Sequence, residues 1–318
     1  MNILNLAEKI INGFRLERCV DNEFLLTSEL DELRKGADMI RRKFCGNEIE
    51  MCSIVNGKSG RCPENCKFCA QSAHNAASVE YYDFLDENKI AEECRYSESK
   101  GVSRFSVVTA GKNLNENDFK KSVSAYKKIS GGKIKICASH GLLTEEQFRE
   151  LKKSGVSRYH CNLETSRRFF PNICTSHTYD DKIKCIQLAK KCGLSICSGG
   201  IIGMGETWDD RIDMAFELAK LQADSIPINV LIPVKGTPFG DLKKISEDDI
   251  LRTSAIFRFI NPTADIRFAA GRALMADLGE KAFRSGMNAM ITGDMLTTTG
   301  STIDRDKEMI DKLYSNST

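Results

Sequence analysis

The chain has 318 residues, of which 41% are hydrophobic and 28% charged, and its formal net charge is +2. That length suits one large α/β barrel or two ordinary domains, and so small a charge supplies no basic field for nucleic acid. No apolar run reaches bilayer-spanning length, and the acid-bearing amphipathic start lacks the basic, then apolar pattern of a signal peptide. A cytoplasmic chain with neither a membrane nor a nucleic-acid partner is expected. Thirteen cysteines, an odd number, argue against a disulfide framework and suit a reducing, low-oxygen host.

Two helices are expected first, over about 3–13 and 28–44. Strand-like runs follow at 50–55, 104–109, 133–138, 158–163, 194–198, 225–232, 265–269 and 288–291. Helix-period segments lie between most of them, for example 145–154, 179–192, 208–221 and 247–261. Thr144 with Gln147 reads as a capping box, and Ser246 as an N-cap before an acidic first turn. Gly155 and Gly193 stand where helix-closing glycines belong. Eight strands alternating with helices predict a (β/α)8 TIM-type barrel with N-terminal helices, an open doubly wound sheet being the alternative. A single domain, 1–318, is expected: a helical segment 1–45, the barrel 46–300, and a C-terminal helix and tail 301–318, frayed from Ser315 to Thr318. Cys19, Cys45, Cys94, Cys185 and Cys192 fall in helix-like stretches and read as small buried apolar residues.

The densest chemical signal is Cys62-Pro63-Glu64-Asn65-Cys66-Lys67-Phe68-Cys69, a Cys-x3-Cys-x2-Cys loop after the first strand. Three thiolates can hold three irons of a cubane and leave the fourth open to a small molecule. A structural zinc site would need a second ligand pair, and a ferredoxin run has different spacing.

A barrel places reactive groups at strand C-terminal ends, and the remaining unusual residues fall there. Cys137, Cys161 and Cys197 lie on the third, fourth and fifth strands, Asn229 on the sixth, Arg267 on the seventh, and Thr297 and Thr298 after the eighth. Strands spaced ~4.8 Å apart would let the three cysteines share a second cluster if all face inward; ordinary barrel filling is the alternative. Ser198 to Thr207 is a glycine-rich segment that reads either as a ligand loop or as a tight turn capped by Thr207. Asn162 and Glu164 could meet a ribose, Asn229 an amide or urea, and the threonine pair a carboxylate. Arg267, between Ile266 and Phe268, would be a buried charge in need of a partner.

Taken together, the cysteine loop, Tyr159-His160-Cys161-Asn162-Leu163-Glu164-Thr165-Ser166, Ser198-Gly199-Gly200, Pro227-Ile228-Asn229, Lys235-Gly236-Thr237-Pro238 and Leu296-Thr297-Thr298 resemble the biotin synthase family of radical S-adenosylmethionine (SAM) enzymes. The resemblance runs from about Glu50 to Thr299. It implies sulfur insertion into dethiobiotin at C9 and C6, with Cys62, Cys66 and Cys69 on a [4Fe–4S] cluster that binds SAM. It implies Phe68, Asn162, Glu164, Ile201 and His177 beside SAM, and Asn162, Asn229, Thr297 and Thr298 beside dethiobiotin. A flavodoxin- or ferredoxin-type electron donor, the iron–sulfur assembly machinery and a homodimer are the partners it implies.

Two positions depart from the pattern. The family's sulfur-donating [2Fe–2S] cluster has three cysteines and an arginine, matched by Ser106, Cys137, Cys197 and Arg267. A serine hydroxyl is a poor iron ligand, so the usual cluster is not expected. The expectation is a rebuilt auxiliary cluster on Cys137, Cys161 and Cys197, with Cys52 in reserve and Arg267 beside the metal. His177 stands where the family has an arginine. A related barrel that rearranges amino acids or matures a hydrogenase cofactor, and a non-catalytic iron–sulfur sensor, are the competing readings; the glycine loop and polar strand ends weigh against the sensor.

Overall fold

A computed structural model describes residues 2–18, 22–293 and 300–315, with the side chains of the last two left out. Cys19, Thr297, Thr298 and the 316–318 end lie outside the described residues. Two helices, α1 (Ile3–Ile11) and α3 (Leu30–Cys45), flank the short α2 (Glu23–Thr27). Asn2 caps α1 with its side chain, and Ile3, Leu6, Ala7 and Ile10 form its buried stripe. Gly36 lets α3 approach the barrel closely: a Cβ there would lie 2.8 Å from the Phe259 ring.

Nine parallel strands follow among the described residues: β1 (Glu50–Lys58), β2 (Arg104–Thr109), β3 (Lys135–Ser139), β4 (Val156–His160), β5 (Ser195–Cys197), β6 (Gly200–Ile202), β7 (Ser225–Val230), β8 (Asp265–Phe268) and β9 (Ala289–Thr292). They pair in the order β5-β4-β3-β2-β1-β9-β8-β7-β6, and the Cys197–Ser225 pairing of β5 with β7 closes the ring. β5 and β6 are one barrel strand broken at Ser198-Gly199, so the architecture is the expected eight-stranded (β/α)8 barrel. The glycine-rich segment is therefore partly strand, where the sequence suggests a turn or loop. No side chain fits at Gly199: a Cβ there would lie 2.0 Å from the Pro227 carbonyl oxygen.

The crossover helices are α4 (Glu87–Ser99), α5 (Glu116–Ile129), α6 (Glu145–Lys153), α7 (Tyr179–Lys191), α8 (Trp208–Lys220) and α9 (Glu247–Ile260), followed by α10 (Glu280–Phe283) and α11 (Ile303–Ser315). Capping boxes start α6 at Thr144, α7 at Thr178, α8 at Thr207 and α9 at Ser246. Gly155 and Gly193 have φ of 98° and 76°, as helix-closing glycines do. Cys94 and Cys185 are buried and Cys45 and Cys192 half-buried. No helix among the described residues is long and apolar enough to cross a membrane.

Candidate active site

The cysteine loop occupies the long β1–α4 connection, at the C-terminal mouth of the barrel. Backbone bonds fold it tightly: Cys62 N donates to Gln71 O at 3.0 Å, Ala73 N to Cys62 O at 2.8 Å and Cys69 N to Cys66 O at 3.2 Å. Asn75 Nδ2 then donates to the carbonyls of Cys66 (3.1 Å) and Cys69 (2.8 Å). All three thiols are half-buried and free of disulfides. Burial raises the Cys62 thiol and pushes Cys69 up to about 11. Cys66 is raised first by its hydrogen bond to Cys174, 3.7 Å away, and then by burial.

Behind this loop a cavity of about 380 Å³ descends into the barrel. Phe68 and Cys69 form part of its mouth, with Asn162, Glu164, Ile201 and Asn229; Cys52, Arg104, Cys137, Arg158, Cys197 and Arg267 line it further down. Asn162 Oδ1 accepts from Gly199 N at 3.0 Å, and its Nδ2 donates to Glu164 at 3.3 Å. Glu164 holds a left-handed φ of 72°, a sparsely populated conformation typical of functional positions. Burial raises its carboxyl, Lys182 and His160 offsetting only part of that. Asn229 Nδ2 donates to Gly200 O at 3.2 Å while its Oδ1 accepts from Ala270 N at 3.1 Å.

The floor is cationic. Arg104 Nε and Arg158 Nη1 donate to the Glu50 carboxylate at 2.7 and 3.0 Å, and Arg267 Nη2 pairs with the same group. Arg158 also reaches Asp265 at 3.4 Å. Three guanidiniums against two carboxylates leave the floor net positive. Burial opposes ionisation of Glu50, but Arg267, Arg158 and Arg104 outweigh it and hold the carboxyl at about 2. Above this floor Cys52 and Cys137 share a hydrogen bond that lowers Cys137, with Arg104 and Arg158 adding to the effect. Burial likewise opposes the Cys197 thiolate, yet His160 and Arg267 prevail and lower it. His160 Nδ1 lies 3.3 Å from Cys197 Sγ.

Cys161 does not join this group. Strand side chains alternate, and Arg158, His160, Asn162 and Glu164 face the cavity, so Tyr159 and Cys161 face outward. Cys161 hydrogen-bonds Cys185 of α7 and lies near Lys182. The structure therefore does not bring Cys161 beside Cys137 and Cys197 as expected; the third cysteine facing the cavity is Cys52. Sequence reasoning also missed Glu50, Arg104, Arg158 and His160. Period-two parity counted back from Asn162 along its strand marks His160 and Arg158 as inward and excludes Cys161.

His177 lies behind the loop, buried against Glu64 and 3.4 Å from Cys174, rather than on the cavity wall. Arg267 spends Nη1 on Met290 O at 2.8 Å, which turns its donors to protein partners.

Residues 58–218 match the radical SAM superfamily and residues 227–314 the biotin and thiamin synthesis associated domain. Solved structures agree on the fold: methylornithine synthase PylB superposes with a TM-score of 0.82 at 19% identity, covering 98% of this chain and 96% of that one. HydG, a maturase of the [FeFe]-hydrogenase, gives 0.83 at 18% identity, covering 98% and 74%. The fold and the cysteine loop define a radical SAM barrel. Curated relatives narrow this further. Biotin synthase of Alkaliphilus metalliredigens is 57% identical over 98% of this chain and 99% of that one. Biotin synthase of Clostridium beijerinckii is 58% identical over 97% and 98%. The chain belongs to the biotin synthase family.

Proposed function

We propose that the chain converts dethiobiotin to biotin by radical SAM sulfur insertion at C9 and C6. The observation that carries this reading is the single cavity joining Cys69 at the mouth to Cys52, Cys137 and Cys197 at the floor. A hydrogen-abstracting group and a sulfur donor could both face one bound molecule there. Cys62, Cys66 and Cys69 suit a [4Fe–4S] cluster: their thiols are free, and the loop that carries them is fixed by its own backbone. Cys52, Cys137 and Cys197 suit a second cluster: all three face the cavity, Cys137 is lowered by its hydrogen bond with Cys52 and then by Arg104 and Arg158, and Cys197 is lowered by His160 and Arg267. When bound, the mouth cluster with SAM supplies a 5′-deoxyadenosyl radical and the floor cluster supplies sulfur.

The chain's own residues orient and exclude. Asn162 and Asn229 hold the ureido ring through their amides. Glu164 receives the ribose hydroxyls of SAM, Phe68 and Ile201 pack on the nucleoside, and His177 supports the SAM end from behind the loop. Ile54, Val108, Val230 and Ile291 give the cavity an apolar wall that keeps water from the reacting carbons. Thr297 and Thr298, outside the described residues, complete the substrate site in this reading. Three thiolates with no fourth cysteine favour a cubane with one open iron over a [2Fe–2S] centre, and Arg267 balances its charge rather than binding iron. A flavodoxin- or ferredoxin-type donor, iron–sulfur assembly machinery, a homodimer, a cytoplasmic setting and a single 1–318 domain complete the proposal. Iron and sulfide analysis of anaerobically reconstituted protein, with biotin and deoxyadenosine measured together, tests it. About eight irons per chain and biotin formation are expected. Deoxyadenosine without biotin would favour the amino-acid-rearranging or cofactor-maturing alternative. About four irons, unchanged when Cys52, Cys137 and Cys197 all become alanine, would remove the floor cluster.

A further inference from the structure

The cysteine loop is stitched to a second segment, 173–177, that carries a cysteine of its own. Lys67 N donates to Ile173 O at 2.9 Å, Asn65 N to Ser176 Oγ at 3.1 Å and Asn65 Nδ2 to Thr175 Oγ1 at 2.7 Å. Asn65 Oδ1 in turn accepts from Thr175 N at 2.9 Å and from Ser176 N at 3.1 Å. These bonds lie on both sides of Cys66 and hold it opposite Cys174, whose Sγ is 3.7 Å from Cys66 Sγ. Cys174 Sγ also meets Asn65 Oδ1 at 3.5 Å, so the residue that joins the two backbones also orients the thiol. A disulfide has an S–S bond of ~2.05 Å, which leaves a gap of about 1.7 Å for a modest χ1 rotation at each cysteine to close. Cys66 is half-buried and Cys174 is 3% exposed, so solvent reaches the first and the second waits behind it.

We propose that Cys66 and Cys174 form a reversible disulfide in the cluster-free chain, and that it blocks loading of the loop cluster until a dithiol reduces it. The effect on loading rests on the reading of Cys66 as a cluster ligand; the disulfide itself does not. The oxidant is a peroxide. It oxidises the Cys66 thiol to a sulfenic acid and is itself reduced at its O–O bond. The Cys174 sulfur then attacks the Cys66 sulfur. The S–S bond forms as the S–O bond breaks, and the hydroxyl leaves with the Cys174 proton as water. Two thiols lose two electrons and two protons in all. A resolving cysteine this close stops Cys66 short of the sulfinic acid, from which a mouth ligand would not return.

Hydrogen peroxide treatment of anaerobic, cluster-free full chain tests this, with free thiols alkylated and peptides mapped without reduction. Tryptic segment 62–67, which carries Cys62 and Cys66, is expected linked to segment 169–182, which carries Cys174, with fragmentation placing the link at Cys66. Oxidised wild-type chain is expected to lose uptake of loop-cluster iron, read by Mössbauer spectroscopy, and to regain it after dithiothreitol. Cys174→Ser should load the loop cluster normally before peroxide. After peroxide it should carry Cys66 as sulfinic or sulfonic acid and fail to recover with dithiothreitol. Cys62→Ala and Cys69→Ala should keep the cross-link while failing to assemble the cluster, so failure of this proposal is distinguishable from failure of the cluster assignment. Cys66 recovered unlinked, or linked to Cys62 or Cys69, would overturn the proposal. So would cross-linked chain that loads as much loop iron as reduced chain, or Cys174→Ser that recovers as fully as wild type.

Discussion

The mouth and the floor of the cavity both gather three cysteines, but they do so by opposite means. At the mouth the three are neighbours in sequence, on a loop that folds on itself through backbone bonds and Asn75. At the floor they come from β1, β3 and β5, and the sheet closure alone brings them together. Their surroundings differ as well. Burial pushes Cys62 and Cys69 up, whereas at the floor Cys137 and Cys197 are lowered, Cys137 by its hydrogen bond with Cys52 (itself raised) and then by Arg104 and Arg158, and Cys197 by His160 and Arg267. A mouth of unassisted thiols depends on delivered metal to deprotonate them, while the floor is electrostatically prepared for an anionic group.

The largest effect should come from breaking the mouth. Cys62→Ala or Cys69→Ala is expected to reduce both deoxyadenosine and biotin to background, since no radical forms without that cluster. Breaking the floor should separate the two products. Cys137→Ala is expected to abolish biotin while SAM cleavage survives within a few-fold, and Cys161→Ala to leave both products and the iron count nearly unchanged. Loss of auxiliary iron in Cys161→Ala, read by Mössbauer spectroscopy, would return that cysteine to the ligand set.

That contrast also explains what the sequence could reveal. The mouth was legible because its chemistry is local: spacing names three ligands and needs no fold. The barrel was legible because strand runs alternate with capped helices, and Thr144, Thr207 and Ser246 mark helix starts with their own side chains. The floor was only half legible. Cys137 and Cys197 stand out as strand cysteines, but choosing between Cys52 and Cys161 depends on which face each side chain takes. A one-residue error in parity turns an inward ligand into a residue of the helix layer. Glu50, Arg104 and Arg158 were illegible for another reason. Each alone is an ordinary charged residue at a strand, and only their convergence inside the ring makes them a cluster.

A smaller effect tests whether the floor is built for an anion. Glu50→Gln takes the paired carboxylate from three buried guanidiniums and leaves Asp265 beside Arg158 alone. Removing one partner of a buried ion pair costs roughly 3–5 kcal/mol. Denaturant unfolding of cluster-free chain should show a loss of that order. The loss should shrink in protein carrying the floor cluster, because thiolates then supply the missing negative charge. An equal loss in both states would mean that the arginines answer only to Glu50.

The smallest effect lies outside the ring, at the end of β3. β3 turns Cys137 and Ser139 inward, and His140, just past its end, faces the helix layer, fully buried. Its Nε2 meets Tyr126 Oη at 2.6 Å and its Nδ1 meets Thr109 Oγ1 at 3.0 Å. Burial lowers its pKa from 6.5 to about 3, only slightly opposed by the Ser139 backbone. The depressed value fixes the sign. The unfolded chain binds a proton below 6.5 that the folded chain refuses, so stability is complete above 6.5 and declines as pH falls towards 3. The slope is at most about 1.4 kcal/mol per pH unit, so roughly 2 kcal/mol is lost between pH 6.5 and pH 5. His140→Gln keeps polar partners for Tyr126 and Thr109 but cannot titrate. Unfolding of the cluster-free chain at the two pH values should therefore show a smaller acid loss in the variant, by about that amount. Equal losses would assign the acid sensitivity elsewhere. The barrel floor stabilises charge with the arginines of β2, β4 and β8 while the outward end of β3 suppresses it by burial, and this pair of measurements, Glu50→Gln against His140→Gln, separates the two.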